Sequence, residues 1–320
     1  MATKYKEVNM ASLLDSVNQR TQLVGQNRLE LLLFKLGGIQ RYGINVFKVK
    51  EVLQCPPLTV LPKLHPAIRG IAHIRGQTIS VIDMNLATGG RAIENIEERF
   101  IIITEYNRSI QGFLVGSVER IININWENIL PPPNGVGRYN YLTAVTEIDG
   151  SLVEILDVEK ILDEIAPVNT EVTAEVIDDH IQEKMANKKI LVADDSSVAR
   201  KQIQRAISAL GIECDLVKDG KEALELLKEI SKTQPVIERY ALMISDVEMP
   251  EMDGYTLTAE VKNNPDLSDL HIILHTSLSG IFNQAMVEKV GADDFIAKFN
   301  PDELATAVQR VINLDDPNNN

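Results

Sequence analysis

Four short apolar runs in the second half of this chain each lead into a residue that can do chemistry. Lys189–Ala193 leads into Asp194 and Asp195, Ala241–Ile244 into Asp246, His271–Leu274 into Thr276 and Ser277, and Asp294–Ala297 into Lys298. Short apolar runs of this kind read as buried parallel strands, and open α/β sheets gather their chemistry at the carboxyl ends of the strands. Side by side, these ends would assemble three carboxylates, a hydroxyl and an ammonium. Clustered carboxylates repel one another unless a cation sits among them. Few protein ligands with open positions suit Mg²⁺, which keeps waters and accepts phosphate oxygens. An aspartate beside that ion can attack phosphorus and become an aspartyl phosphate. A lysine and a hydroxyl can then hold the phosphoryl oxygens.

The elements that must position these residues alternate. Strands are expected near Ile190–Asp194, Cys214–Val217, Leu242–Asp246, His271–Thr276 and Asp294–Ala297. Helices are expected near Ser197–Leu210, Lys221–Ser231, Tyr255–Lys262, Phe282–Val290 and Asp302–Leu314. Five such units make a doubly wound, five-stranded parallel sheet. Ser196 is placed to cap the first helix at its start and Gly211 at its end. Each residue alone has a plain explanation: a charge at a helix start for Asp194 and Asp195, a turn cap for Asp246, a surface charge for Lys298. Their joint position at four strand ends carries the chemical reading.

Over about Asn187–Leu314 this pattern resembles the receiver domain of two-component response regulators, a flavodoxin-like fold. The resemblance implies Asp246 as phosphoacceptor. It implies Asp195 and Asp246 as Mg²⁺ ligands, with Asp194 helping through water and Glu248 through its backbone carbonyl. Thr276 becomes the switch hydroxyl, Phe295 the rotating aromatic and Lys298 the phosphate-pairing lysine. The chain departs from the family at Phe299-Asn300, which stand between the lysine and Pro301, where proline usually follows directly. It also carries a few extra residues near Ser231–Arg239. A phosphohydrolase with an aspartate nucleophile would place a second Asp two residues on, where this chain has Glu248. Leu278, like Glu248, stands where a side chain could gate water.

Composition bounds the remainder. The 320 residues suffice for two domains, and 44% hydrophobic content supports packed cores. The net charge of −14 argues against nucleic acid or an anionic membrane surface as the main partner. The charge is uneven: −1 over residues 1–165, −4 over 166–187 and −9 over 188–320. Cys55 and Cys214, the only cysteines, fall in different halves, which fits a reducing compartment rather than a disulfide framework. Neither a signal peptide nor a membrane-spanning apolar stretch is found, so a cytoplasmic protein is expected. The expected divisions are an N-terminal arm at 1–28, a β-rich domain at 29–165, a linker at 166–187, the α/β domain at 188–314 and a polar tail at 315–320.

The first half reads as many short strands: Leu31–Leu36, Gln40–Val46, Val49–Leu53, Leu58–Leu61, Ile68–Ile74, Thr78–Ile82, Phe100–Tyr106, Ser109–Val115, Val118–Ile124, Leu142–Ile148 and Leu152–Ile155. A short helix at Val158–Ile165 closes it. Strands at this spacing indicate barrels rather than a βαβ fold. His65 and His73 read as ordinary turn or surface histidines, and Gly135 and Gly137 follow no Rossmann strand. A binding module is therefore expected here, not a catalytic one. In the linker, Val172, Val176 and Ile181 give a weak helical stripe.

Three strings in this half, LLFKLGGIQRYGINVFKVKEVL from Leu32, IRGIAHIRGQTISVIDM from Ile68 and YLTAVTEIDGSLVEILDVEKIL from Tyr141, resemble CheW. CheW is the adaptor that joins chemoreceptors to the histidine kinase CheA. The resemblance implies an all-β fold of two small barrels and implies Val49, Glu51 and Arg75 as partner contacts. His73-Ile74 replaces the common Asn-Leu before Arg-Gly. A CheW-like half followed by a receiver is the arrangement of the CheV family, which the whole chain resembles. The expectation is a multidomain, non-enzymatic chemotaxis adaptor. It would couple methyl-accepting chemoreceptors to CheA and be regulated by Mg²⁺-dependent phosphorylation of Asp246. The alternative is a sink for CheA phosphoryl groups, with the adaptor half only an anchor.

Overall fold

The computed structural model describes residues 28–106, 109–132, 141–167, 171–178, 180–185, 188–276, 287–298 and 300–314. The expected N-terminal arm apart from Arg28, most of the helix near Phe282–Val290, the tail at 315–320, and Gly135, Gly137, Ser277, Leu278 and Phe299 lie outside the described residues. Among the described residues, no helix is long and apolar enough to cross a membrane.

The described residues of the first half contain ten strands. They are β1 (Arg28–Lys35), β2 (Arg41–Asn45), β3 (Val49–Gln54), β4 (Ile68–Ile74), β5 (Gln77–Asp83), β6 (Phe100–Tyr106), β7 (Ser109–Val115), β8 (Ser117–Asn125), β9 (Leu142–Ile148) and β10 (Ser151–Leu156). They form two five-stranded sheets, ordered β8-β1-β2-β10-β9 and β3-β6-β7-β5-β4. One isolated bridge draws the edges of each sheet together. Leu130, just beyond β8, pairs with Val145 of β9, and Thr59, beyond β3, pairs with Ile71 of β4. The expected strand Leu58–Leu61 is reduced to that second bridge.

The two-residue period of a strand explains the packing. Leu29, Leu31 and Leu33 point into the first barrel, while Leu32 and Phe34 of the same strand enter a core between the barrels. Likewise Ile101 and Ile103 fill the second barrel and Ile102 faces the shared core. A strand buried on both faces reads as a continuous apolar run, and these do. Helix α1 (Met84–Ala87) follows β5, capped by Asp83, whose carboxylate accepts from Asn85 and Leu86 N–H. Helix α2 (Val158–Ile165) is capped by Asp157 and presses Val158, Ile161 and Leu162 into the shared core.

The described residues of the 166–187 stretch at 171–178 and 180–185 form a strap on the second half. A 3-10 turn at Ala174–Val176 and a short helix, α3 (Ile181–Lys184), lead into β11 (Lys189–Ala193). Ile181 and Met185 are buried, and Val172, Val176 and Ile177 pack on the same core.

Beyond β11 come α4 (Ser197–Ala209), β12 (Cys214–Val217), α5 (Gly220–Ser231), α6 (Val236–Arg239), β13 (Tyr240–Ser245), α7 (Gly254–Lys262), β14 (His271–Thr276), β15 (Asp294–Ala297) and α8 (Pro301–Leu314). The sheet is all-parallel in the order β12-β11-β13-β14-β15, the flavodoxin-like arrangement. The extra residues near Ser231–Arg239 are accounted for by α6. Asp302 and Gln309 of α8 hold the strap: Thr173 N–H donates to the Asp302 carboxylate at 2.7 Å, and Asp178 N–H to Gln309 Oε1 at 2.7 Å.

Candidate functional site

The acids meet because parallel pairing puts the strand ends in one layer. Ala193 pairs with Ser245, Ser245 with Leu274, and Thr276 with Ala297. Asp194, Asp246 and Lys298 each follow one of these pairs. Ligand atoms of Asp194, Asp195 and Asp246 all lie within 4.8 Å of one another. Lys298 Nζ reaches Asp194 Oδ2 at 2.7 Å and Asp246 Oδ2 at 2.8 Å, with Lys298 and Asp194 buried. The free oxygens are positioned by the backbone: Asp194 Oδ1 accepts from Ser196 N–H at 2.8 Å, and Asp246 Oδ1 from Val247 N–H at 2.7 Å. Thr276 is buried at the end of β14, and its carbonyl accepts from Lys298 N–H at 2.8 Å. Phe295 is half-buried on β15, packed near Tyr255 and Leu274. Among the described residues no peptide bond is cis.

Gly254 shows how tightly the turn after Asp246 is drawn. A Cβ there would stand 2.0 Å from the Asp246 carbonyl oxygen, so only glycine lets α7 start against that strand end. Ser196 caps α4 as expected, accepting from Ala199 N–H, and Gly211 adopts φ +74° just past its end.

The pocket is short of positive charge. Burial pushes the Asp194 carboxyl up to about 7, the neighbouring Asp246 adding to it against Lys298. Burial and Asp194 push Asp195 up to about 6, with Lys48 opposing them. Asp246 is raised by burial and by Asp195. Glu248 is raised to about 8 by burial and by Asp246, and its Oε1 has no hydrogen-bond partner among the described residues. Lys298 is held in its charged form well above the ordinary range by Asp194, Asp246 and Glu159, despite burial. Three carboxylates in this compass, with one lysine bonded to two of them, form a donor set that fits a small divalent cation.

Two residues at this pocket were not singled out from the sequence. Lys48, in the 3-10 turn between β2 and β3, and Glu159, in the first turn of α2, belong to the β-rich half. They form an ion pair of 2.9 Å beside Asp195 and Ser196. Nothing in the local string around either residue signals this, because the partners lie far off in the chain, Asp195 147 positions beyond Lys48 and Ser196 37 beyond Glu159.

The proposed partner contacts of the first half are distributed differently. Val49 is half-buried against the shared core. Arg75 and Glu51 bond to each other at 2.6 Å, with the Arg75 side chain 78% exposed. Arg75 and Gly76, with φ of 49° and 82°, make the two-residue turn that joins β4 to β5. His65 takes the Ala67 N–H in a turn, and His73 faces Thr78 across the hairpin.

Comparison with known proteins agrees with both halves. The CheW-like domain family matches residues 30–166, and the response regulator receiver domain family matches residues 190–309. Chemotaxis protein CheV1 of Helicobacter pylori is 30% identical, the alignment covering 95% of this chain and 100% of that protein. CheV3 of the same organism is also 30% identical, covering 89% and 95%. Among solved structures, the scaffolding protein TtCheW of Thermoanaerobacter tengcongensis matches with TM-score 0.40 and 26% identity, over 44% of this chain and 95% of that one. With a CheW-like domain, a receiver domain and CheV relatives matched over nearly their whole length, the chain belongs to the CheV family of chemotaxis proteins.

Proposed function

We propose that this protein couples chemoreceptors to the histidine kinase CheA through its CheW-like half, and that phosphorylation of Asp246 regulates the coupling. The observation that carries the reading is the Asp194–Asp195–Asp246 cluster with Lys298 bridging two of the acids. Asp246 Oδ2 or Oδ1 attacks the phosphorus of a phosphohistidine, an O–P bond forms as the N–P bond breaks, and the imidazole leaves with the electron pair. Lys298 then exchanges a carboxylate oxygen for a phosphoryl oxygen, and Thr276 offers its hydroxyl to another. Asp195 and Asp246 would hold Mg²⁺ by their side chains, with Asp194 helping through water and the Glu248 backbone carbonyl adding a ligand. The ion would supply charge neutralisation that lets two anionic groups approach. Repositioning of Thr276 and Phe295 would change the receiver surface. The Glu51–Arg75 pair, exposed on a hairpin edge, and Val49 would meet receptor or kinase. The sink reading needs no communication between the halves. Their meeting through Lys48 and Glu159 favours the regulated adaptor.

The test is intact-mass measurement with Mg²⁺ and a small phosphodonor, beside Asp246→Asn. One phosphoryl group on the wild type and none on Asp246→Asn is expected, with circular dichroism of the two unchanged. A stable phosphoryl group on the variant would remove Asp246 from the role.

A further inference from the structure

The CheW-like half packs on the receiver beside the acid pocket, with α2 against α4 and Glu159 bonded to Ser196. Lys48 and Glu159 come from separate elements, the β2–β3 turn and the start of α2, yet converge on one point. The Glu159 side chain is only 3% exposed, with Lys48 at 2.9 Å and Ser196, next to Asp195, as its hydrogen-bond partners. Its carboxylate acts electrostatically on Asp194, Asp195, Asp246 and Lys298 together, so it faces the pocket that would receive the phosphoryl group. Lys48 is the strongest positive influence on Asp195. A second contact holds the halves together away from the pocket, where α2 packs on α4 and Gln202 Nε2 approaches Asp163 Oδ1 at 3.4 Å.

We infer that the receiver's acid pocket is also the docking site for the adaptor half of the same chain, with the Lys48–Glu159 pair as the plug. Docking and loading of the pocket then exclude each other. This rests on the reading of Asp246 as phosphoacceptor.

Charge gives the reason. Lys48 acts on Asp195 as a positive charge, and a divalent ion arriving there meets a like charge. A phosphoryl group on Asp246 brings about two negative charges next to Glu159, which Lys48 and Lys298 hold ionised. The Glu159 carboxylate is buried at this contact, so negative charge added beside it meets little solvent screening. Loading therefore frees α2, α4 and the β2–β3 turn, and those freed faces become available to partners.

The experiment uses the full chain. Mg²⁺ alone is titrated by calorimetry into wild type, Lys48→Ala and Asp163→Lys, the last acting at the helix contact outside the pocket. Hydrogen–deuterium exchange over residues 46–48, 158–165 and 197–209 is followed without and with Mg²⁺ and beryllofluoride. Phosphoryl uptake from a small phosphodonor is read by mass on the same samples. The expected result is tighter Mg²⁺ binding in both variants, on the order of tenfold, as is usual for coupled sites. Faster exchange in the wild-type segments on loading is also expected, and exchange already fast in the variants before it. Equal Mg²⁺ affinity in all three proteins, with exchange unmoved by loading, overturns the plug. Those two readouts decide it whether or not Asp246 takes up phosphate. Absence of a mass gain in every protein counts instead against the phosphoacceptor reading. Should Lys48→Ala lose its folded circular dichroism, Asp163→Lys decides alone.

Discussion

Replacing Asp195 with asparagine is expected to stabilise the metal-free protein while abolishing its response to Mg²⁺. Asp195 is raised from its ordinary 3.8 to about 6, first by burial and then by Asp194. A carboxyl whose folded value lies above its unfolded one binds protons more tightly in the native state. Its contribution is neutral at acid pH and becomes destabilising as pH rises from about 4 towards 6. Taken alone, that rise corresponds to roughly 3 kcal/mol against folding near pH 8. Asp194, Asp195 and Asp246 titrate together and Asp195 keeps some contact with solvent. About 1–2 kcal/mol is therefore the expected gain in Asp195→Asn. Near pH 4 the variant and the wild type should coincide. Saturating Mg²⁺ should reverse the order, because the cation stabilises only the chain that binds it, by about 2.7 kcal/mol at a hundred times its dissociation constant. The assay is urea unfolding followed by far-ultraviolet circular dichroism, after chelation, at both pH values and with Mg²⁺ restored. A variant no more stable than the wild type near pH 8, or one that Mg²⁺ stabilises as strongly, would refute the reasoning that the acids repel each other and await a cation.

Three further outcomes are expected. Ile181→Ala, in the strap between the halves, should cost about 2–5 kcal/mol of receiver stability, since Ile181 is fully buried; a loss near zero in urea unfolding would mean the strap is not part of that core. Gly254→Ala should cost about 3 kcal/mol or more, because its Cβ would fall 2.0 Å from the Asp246 carbonyl and must push back the strand end or α7. The same variant should take up phosphate slowly, and unimpaired stability and uptake together would show that the turn yields easily. Arg75→Glu should change stability by less than about 1 kcal/mol, since its ion pair with Glu51 is exposed. It should weaken co-sedimentation with receptor–kinase arrays while leaving phosphoryl uptake intact; unchanged co-sedimentation takes Arg75 off the contact surface.

The receiver half was legible because its strands are buried on both faces. Positions such as Leu191, Val192, Met243 and Ile244 make unbroken apolar runs, and each strand ends within two residues of its run. Parallel pairing then guarantees that Asp194, Asp246, Thr276 and Lys298 share one layer. Most strands of the β-rich half were legible too, from their short apolar runs, whereas the expected strand Leu58–Leu61 is only a bridge.

Other features depend on partners distant in the chain. Closure of each sheet rests on single bridges, Leu130–Val145 and Thr59–Ile71, which leave no periodic trace. The strap at 166–187 reads as polar and acidic, yet Ile181 and Met185 are core, a role set by α4 and α8 and not by their neighbours in sequence. The residue types and their local period determined which side chains would do the chemistry, since alternation and strand length are properties of a few consecutive residues. Only the tertiary structure decided what stands against that chemistry. Lys48 and Glu159 lie over a hundred positions from Asp195 and Lys298 respectively, and the charge each meets depends on how two separately folded halves are packed.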